Sequence, residues 1–279
     1  MIRASEREEE RRAAWIINVG TELVLGVTVN TNGAWLARRL TSMGFDVRRI
    51  VAVPDDEELT TVLRESLSSG ARLIVITGGL GPTHDDKTHA LVAEALGLRL
   101  VLDERALRLI ERFYASRGLE LTEERLKMAH VPEGAEVLPN PVGAAPGSAI
   151  RRGPSLIVCL PGVPREMEAV FEKAVPLISA IAPRLELAEA FIYVRGVPES
   201  TLAPFLRRIA AQEPLSYIKS HPQGHELDEP VLKIHVVAHG SSREEAIYRA
   251  KRVSALVAEA AEKLGGQVEH SGSERGGDA

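Results

Sequence analysis

The chain has 279 residues, of which 44% are apolar and 26% charged, and a formal net charge of −5. This is the composition of an ordinary globular protein, long enough for one large domain or two smaller ones. The modest charge and the absence of a basic tract argue against broad attachment to nucleic acid or to an anionic membrane surface. No apolar run reaches the length of a membrane span, and Met1 to Arg12 lacks the apolar core of a signal peptide, so a cytoplasmic protein without a membrane partner is expected. The single cysteine, Cys159, lies in the apolar run Leu156 to Leu160, where it packs as a small apolar residue and can form no internal disulfide.

Residues 1–13 are rich in Glu and Arg and are expected to form a flexible tail. Trp15-Ile16-Ile17-Asn18-Val19 reads as a central parallel strand that ends at Gly20-Thr21-Glu22. Leu36, Leu40 and Met43 then repeat at helical spacing until Gly44 ends the helix. Polar residues at the carboxyl end of a first strand occupy the crevice in which open α/β sheets bind ligands. Glu22, Asn30 and Asn32 are therefore site candidates, although either asparagine serves equally as a helix N-cap. Val47 to Val53 gives a second strand, Asp55 and Asp56 open a helix carrying Leu59, Val62, Leu63 and Leu67, and Leu73 to Thr77 is a third strand. Strands alternating with helices specify an α/β fold with a doubly wound, mostly parallel sheet.

The third strand runs into Gly78-Gly79-Leu80-Gly81-Pro82-Thr83-His84-Asp85-Asp86-Lys87-Thr88, and a helix with Leu91, Val92, Ala95 and Leu96 on one face follows. Gly78, Gly79 and Gly81 lack a Cβ, so this backbone can take positive φ and turn its N–H groups toward a phosphate. Thr83, Asp85, Asp86 and Thr88 offer oxygens to the free N–H groups at the start of the helix. Two carboxylates beside a phosphate also suit a hard cation such as Mg²⁺. The plainer alternative is a glycine turn and a capped helix. The loop is not a P-loop, having no G-K-[ST], and Pro82-Thr83-His84 follows Gly81 where a dinucleotide fingerprint needs its third glycine.

Farther along, Arg99 to Leu102 is a candidate short strand, and amphipathic helices are expected at about Glu104 to Arg117 and Thr122 to His130. The loop Asn140 to Ser148 is built of small and rigid residues that let a backbone or a planar ligand come close, which makes Gly143 a candidate. Ser155 to Leu160 is a buried strand leading to Pro161-Gly162-Val163-Pro164, with Pro164 suited to the first position of a helix. Pro161, Gly162 and Pro164 thus form either a second ligand nest or a tight turn shaped by Gly and Pro. A first domain is expected over 14–183 and a second, smaller α+β domain over 188–265, of the order strand, helix, two strands, helix. Residues 266–279 are expected to be a second flexible tail. His221 and His225 are four apart, but Pro222 and Gly224 forbid the helix that would align them on a metal. There is no G-x-S-x-G elbow, and the signatures of common RNA modules are absent, so no nucleic acid partner is expected.

Five segments, Gly20 to Leu23, Asn30 to Asn32, Thr77 to Thr88, Asn140 to Gly147 and Leu160 to Met167, resemble in order the N-terminal part of the CinA (competence/damage-inducible protein A) family. That part has the molybdenum-cofactor-biosynthesis, or molybdopterin-binding-like, fold, and the resemblance runs from roughly Trp15 to Leu264. It implies a metal-dependent pyrophosphatase that hydrolyses ADP-ribose or a related dinucleotide such as FAD to AMP and a second phosphate product. It also implies a divalent metal (Mg²⁺, Mn²⁺, Co²⁺ or Ni²⁺), a nucleotide or pterin ligand, and a homo-oligomer, with a dimer favoured. In the family the glycine loop and the following Asp-x-Thr bind phosphate and metal, which falls here on Gly78, Gly79, Gly81, Asp86 and Thr88. Asp85 is a second candidate for the metal, and Glu22 or Asp85 for the general base. Thr21 stands where many members carry aspartate. Full-length CinA proteins add a C-terminal nicotinamide-mononucleotide deamidase domain, and that activity is not expected of this chain. Adenylyl transfer to molybdopterin, simple pterin binding and a non-catalytic nucleotide-binding module are the alternatives.

Overall fold

Strand β1 (Ala13–Val19) is buried along its whole length, as a strand with neighbours on both edges and helices on both faces must be. In the computed structural model, which describes residues 12–183, 185–223 and 230–271, the chain divides into two units, residues 1–183 and 184–279. In the first unit β1 pairs in parallel with β2 (Asp46–Val53) and with β3 (Leu73–Thr77), and β3 pairs in parallel with β8 (Ser155–Leu160). The sheet continues antiparallel through β7 (Gly147–Arg152) to β6 (Glu136–Leu138), in the order β2-β1-β3-β8-β7-β6.

Alternation along the strands sends successive side chains to opposite faces. On one face Ile17, Ile74, Ile76 and Ile157 pack with Leu59 and Leu63 of α3 (Glu58–Ser68), Leu91 and Val92 of α4 (Thr88–Leu96) and Ile110 of α5 (Glu104–Ala115). On the other, Ile16, Val75 and Val158 meet Leu36 and Leu40 of α2 (Thr31–Ser42) and Met167 and Phe171 of α7 (Pro164–Ser179). Each fully buried Ile or Leu contributes roughly 2 kcal/mol by leaving water. The fold is the α/β sheet that the alternation of runs predicts. A single helical turn, α1 (Thr21–Val24), leads out of β1.

Several local expectations change: β1 begins at Ala13, inside the tail expected over 1–13, and β7 takes up Gly147 and Ser148 of the expected loop. The helix expected over 122–130 is only α6 (Glu123–Lys127), because His130 already begins β5 (His130–Pro132), which pairs with β4 (Leu100–Leu102). In the second unit β9 (Glu186–Arg195), β10 (Ser216–Pro222), β11 (Val231–Gly240) and β12 (Gln267–Ser271) form an antiparallel sheet in the order β10-β11-β9-β12. Its core packs Ile192, Val194, Ile234 and Val236 with Leu202 and Leu206 of α8 (Glu199–Gln212) and Val253 and Val257 of α9 (Arg243–Lys263). The expected tail over 266–279 therefore begins as a strand, paired through Gln267 to Ser271 with Arg195 to Phe191. Its backbone ladder supplies what its side chains, with only Val268 apolar, do not announce. Residues 1–11, 272–279 and His225 lie outside the described residues. No helix among the described residues is long and apolar enough to cross a membrane.

His89 of α4 is buried between two elements, its Nδ1 3.1 Å from the carbonyl of His130 and its Nε2 2.9 Å from Oγ of Ser148 in β7. A carbonyl only accepts, so Nδ1 carries the proton and Nε2 accepts from the Ser148 hydroxyl, a neutral ring with both nitrogens satisfied. Burial lowers its pKa from 6.5 to about 4. Burial likewise pushes the Cys159 thiol up to about 12, which leaves it no role as a nucleophile. Between pH 6.5 and 4 the unfolded chain binds a proton at His89 that the native ring refuses, so stability falls as pH falls through that window. A shift of this size is worth roughly 3 kcal/mol. Urea midpoints measured from pH 7 to pH 4 are expected to drop steeply for the wild type and less for His89→Gln. Equal slopes would show that His89 titrates alike in both states.

Candidate functional site

The carboxyl ends of β1, β3 and β8 stand side by side, with Asn18 paired to Thr77 and Thr77 to Leu160. Because β1 lies between β2 and β3, the chain leaves it at a reversal of strand order, where open α/β sheets form their ligand crevice. Three of the predicted segments start here: Gly20 after β1, Gly78 after β3 and Pro161 after β8.

Gly78 takes φ 109° and Gly79 φ 65°, so the left-handed backbone expected of the loop occurs at these two residues. A Cβ on Gly78 would stand 2.0 Å from the carbonyl oxygen of Val19, and one on Gly79 would stand 2.4 Å from Oγ1 of Thr88. Gly81 is constrained differently, since a Cβ there would lie 2.6 Å from Oδ2 of Asp86. Leu80 is buried and anchors the loop in the core. The N–H of Gly78 is committed to the carbonyl of Leu160 at 3.0 Å, whereas those of Gly79, Leu80 and Gly81 meet no protein acceptor among the described residues. The nest thus has three open amides, and Gly78 shapes it without donating to it.

Thr88 is buried beneath the loop, its hydroxyl donating to the carbonyl of Gly78 at 2.8 Å and its N–H to that of Gly79 at 3.0 Å. It is spent on holding the loop. The two aspartates do not cap α4: its N-cap position is Lys87, with no side-chain cap. They turn instead to Thr83, whose N–H donates to Oδ2 of Asp86 at 2.9 Å. The Thr83 hydroxyl lies 2.5 Å from the same oxygen and also contacts Oδ1 of Asp85. One hydroxyl proton serves one carboxylate at a time, so two negative groups converge on a single oxygen. The hydrogen bond from Thr83, a backbone hydrogen bond and the nearby charges of His84 and Lys127 hold the Asp85 carboxyl below its ordinary range. Nζ of Lys127, from α6, donates to the carbonyl of Thr83. No group of three His, Cys, Asp or Glu side chains suited to a metal occurs among the described residues. A cation here would take one or two carboxylates and complete its shell with ligand oxygens and water.

Asn30 is the N-cap of α2, its Oδ1 accepting from the N–H of Gly33 at 2.8 Å. Asn32 ties two ends of the crevice: its Nδ2 donates to Oγ1 of Thr77 at 3.2 Å and to the carbonyl of Gly162 at 2.8 Å. Thr77 in turn donates to the carbonyl of Pro161 at 2.7 Å. Oδ1 of Asn32 is buried without a partner. Gly162 presses on the glycine loop, since a Cβ there would stand 3.2 Å from Cα of Gly78. Pro164 opens α7 as expected. Glu22 folds over Gly20, its Oε1 2.5 Å from where a Cβ would be, and is exposed. The N–H of Gly143 is taken by Oδ1 of Asn140 at 2.8 Å.

The sequence marks Asp55 as a helix opener, but α3 begins only at Glu58, with Glu57 at its N-cap. In the structure Oδ2 of Asp55 accepts from the N–H and the hydroxyl of Thr21 at 2.8 and 3.0 Å, which brings a carboxylate to the position where Thr21 itself has none. Its place just past the carboxyl end of β2 was the available signal. Lys127 lies in no segment that the sequence singles out for the site, and Asn140 and Glu166 lie within the segments 140–147 and 160–167 without any local sign that they pair with each other.

The family model described as "Probable molybdopterin binding domain" matches residues 15–180. A protein of Aeropyrum pernix is 49% identical over 267 residues, 95% of this chain and 99% of its own length. One from Pyrobaculum arsenaticum is 48% identical over 248 residues, 88% of this chain and 93% of its own. Among solved structures, that of CinA "with unknown function" from Thermoplasma acidophilum is similar with a TM-score of 0.56 and 42% identity, over 60% of this chain and 98% of that one.

The two kinds of glycine constraint separate experimentally. Gly78→Ala puts a side chain into the Val19 carbonyl with φ at 109° and should cost roughly 3 kcal/mol. Gly81→Ala meets only the end of the Asp86 side chain, which can swing away, and should cost less than about 1 kcal/mol. Urea unfolding measures both, and equal losses would contradict the distinction.

Proposed function

The chain belongs to the family of molybdopterin-binding domains, as a CinA-type member, and from that premise we propose that it is a metal-dependent nucleotide pyrophosphatase. Its substrate in this reading is ADP-ribose or a related dinucleotide such as FAD, and its products are AMP and a second phosphate compound. The observation that carries the reading is the set of three open amides at Gly79, Leu80 and Gly81 beside the converging carboxylates of Asp85 and Asp86.

The donor set fits a divalent cation, because the exposed carboxylate of Asp85 and the half-buried one of Asp86 beside a threonine hydroxyl are the hard oxygen ligands such ions take. Asp86 and Asp85 would hold it, and when bound it would supply a Lewis acid for the phosphoryl oxygens and a more acidic water. The amides of residues 79–81 bind the diphosphate and stabilise the charge that grows on its oxygens as the bridging P–O bond breaks. Asn32 offers Oδ1 to a ligand donor while its amide holds the Gly162 carbonyl in place. Glu22 has no side-chain partner among the described residues and is the group free to take the proton of the attacking water. The proton moves to Glu22, the water oxygen bonds to phosphorus, and the bridging oxygen leaves with the second phosphate. Molybdopterin binding, or adenylyl transfer to it, is the second reading; the family's description names molybdopterin binding, and the same nest would serve without a water nucleophile.

AMP release from ADP-ribose and from FAD, each with Mg²⁺, Mn²⁺, Co²⁺ or Ni²⁺, tests the reading. Metal-dependent release is expected, with Asp86→Ala lowering it by roughly a hundredfold or more while the fold persists. Unchanged release in that variant would refute the role of Asp86. Binding of molybdopterin with no release from either dinucleotide would favour the second reading.

A further inference from the structure

Asn140 and Glu166 make no hydrogen bond to the glycine loop among the described residues, yet the two join the loop 140–147 to the start of α7. Oδ1 of Asn140 accepts from the N–H of Val142 at 3.1 Å and of Gly143 at 2.8 Å. Its Nδ2 donates to the carbonyl of Ala145 at 2.9 Å and to Oε2 of Glu166 at 2.7 Å. A flipped amide would set its NH₂ against two N–H groups and its oxygen against two oxygens, so the orientation is determined. Glu166 lies in the first turn of α7, two residues after Pro164, and its carboxylate packs directly on the backbone of Gly143. A Cβ on Gly143 would stand 2.0 Å from Oε2 and 2.1 Å from Cδ of that glutamate. Gly143 is thus small because a carboxylate occupies the space above it.

We infer that Asn140 and Glu166 are positioning residues, a clamp that fixes the loop 140–147 on the start of α7 so that this loop and the Pro161–Pro164 turn form one wall of the crevice. The start of α7 is already tied to the nest through Asn32 and Gly162. The clamp extends that tie to Val142, which is 54% exposed, as is Val163 at 56%, on the turn it joins. Both are exposed apolar side chains on the two segments that the clamp joins. In this proposal they form the apolar side of the wall, against the planar ring of a nucleotide whose diphosphate lies on the amides, an assignment that rests on the proposed function.

Neither clamp residue touches the reacting phosphate, so their loss acts on binding and not on the bond-breaking step. In Glu166→Ala the amides of Val142 and Gly143, in a different segment, should exchange hydrogen about tenfold faster, because the acceptor that orients them has lost its anchor. A glutamate serving only its own helix would leave those amides unchanged, and that result overturns the clamp. Asn140→Asp sets two carboxylates face to face and should raise the dissociation constant for ADP-ribose, read by calorimetry, about tenfold, with kcat within about twofold. Adding Glu166→Gln restores a donor opposite the introduced carboxylate and should recover most of the affinity; a double variant no better than the single overturns the pairing. Faster exchange without weaker binding would confine the clamp to loop stability and overturn its place in the ligand wall. A wild-type protein that binds no ADP-ribose would overturn the proposed function, while the exchange measurement would still decide the clamp.

Discussion

Gly78 approaches the ends of two neighbouring strands more closely than any residue with a side chain could. Its N–H bonds to Leu160, and the position of a side chain is filled by the carbonyl of Val19. At the end of β3 the Val19 carbonyl, at the end of the neighbouring β1, takes the space that a side chain would need. A chain leaving the middle strand must therefore turn at once, through two left-handed residues that only glycine adopts cheaply. The turn carries the next three amides away from every protein acceptor, while Leu80 anchors the segment in the core and Thr88 holds it from beneath. The open amides follow from packing at Gly78.

Around that point the polar groups fall into those that build the crevice and those left to act in it. Thr77, Thr88, Asn30 and Asn140 spend their hydrogen-bonding capacity within the site itself, on its backbone and, for Thr77 and Asn140, on the side chains of Asn32 and Glu166 as well. The amides of residues 79–81, Oδ1 of Asn32, the carboxylate of Glu22 and the pair at Asp85 and Asp86 remain available. A buried acceptor without a partner is costly, so the orphaned Oδ1 of Asn32 is a feature that a ligand donor would relieve. Asp55 adds a carboxylate through Thr21, so an acid stands beside a position whose own side chain carries only a hydroxyl.

The second unit gains its last strand by a different route. Residues 267–271 add little apolar surface, but β9 presents an open edge whose N–H and C=O groups need partners. In the first unit the antiparallel pair β6 and β7 extends the edge beyond β8 in the same way.

The residues alone determined the alternation of strands and helices, the two-faced sheet and the position of the glycine loop between β3 and α4. These follow from local periodicity and from turn chemistry within a few residues, which a single chain displays directly. The strands β5 and β6 have three residues each without an apolar run, and β7 begins in a Gly- and Pro-rich loop and ends in two arginines, so none of the three is legible as a strand in the sequence. Which polar atom serves which purpose was settled only by the tertiary structure. Asn140 meets Glu166, Asn32 meets Gly162, Thr21 meets Asp55 and Lys127 meets Thr83 across sequence separations of 26, 130, 34 and 44 residues. Such pairs depend on the order and register of the strands that bring the loops together, and a hydrogen bond forms or fails over a fraction of an ångström that no local pattern encodes.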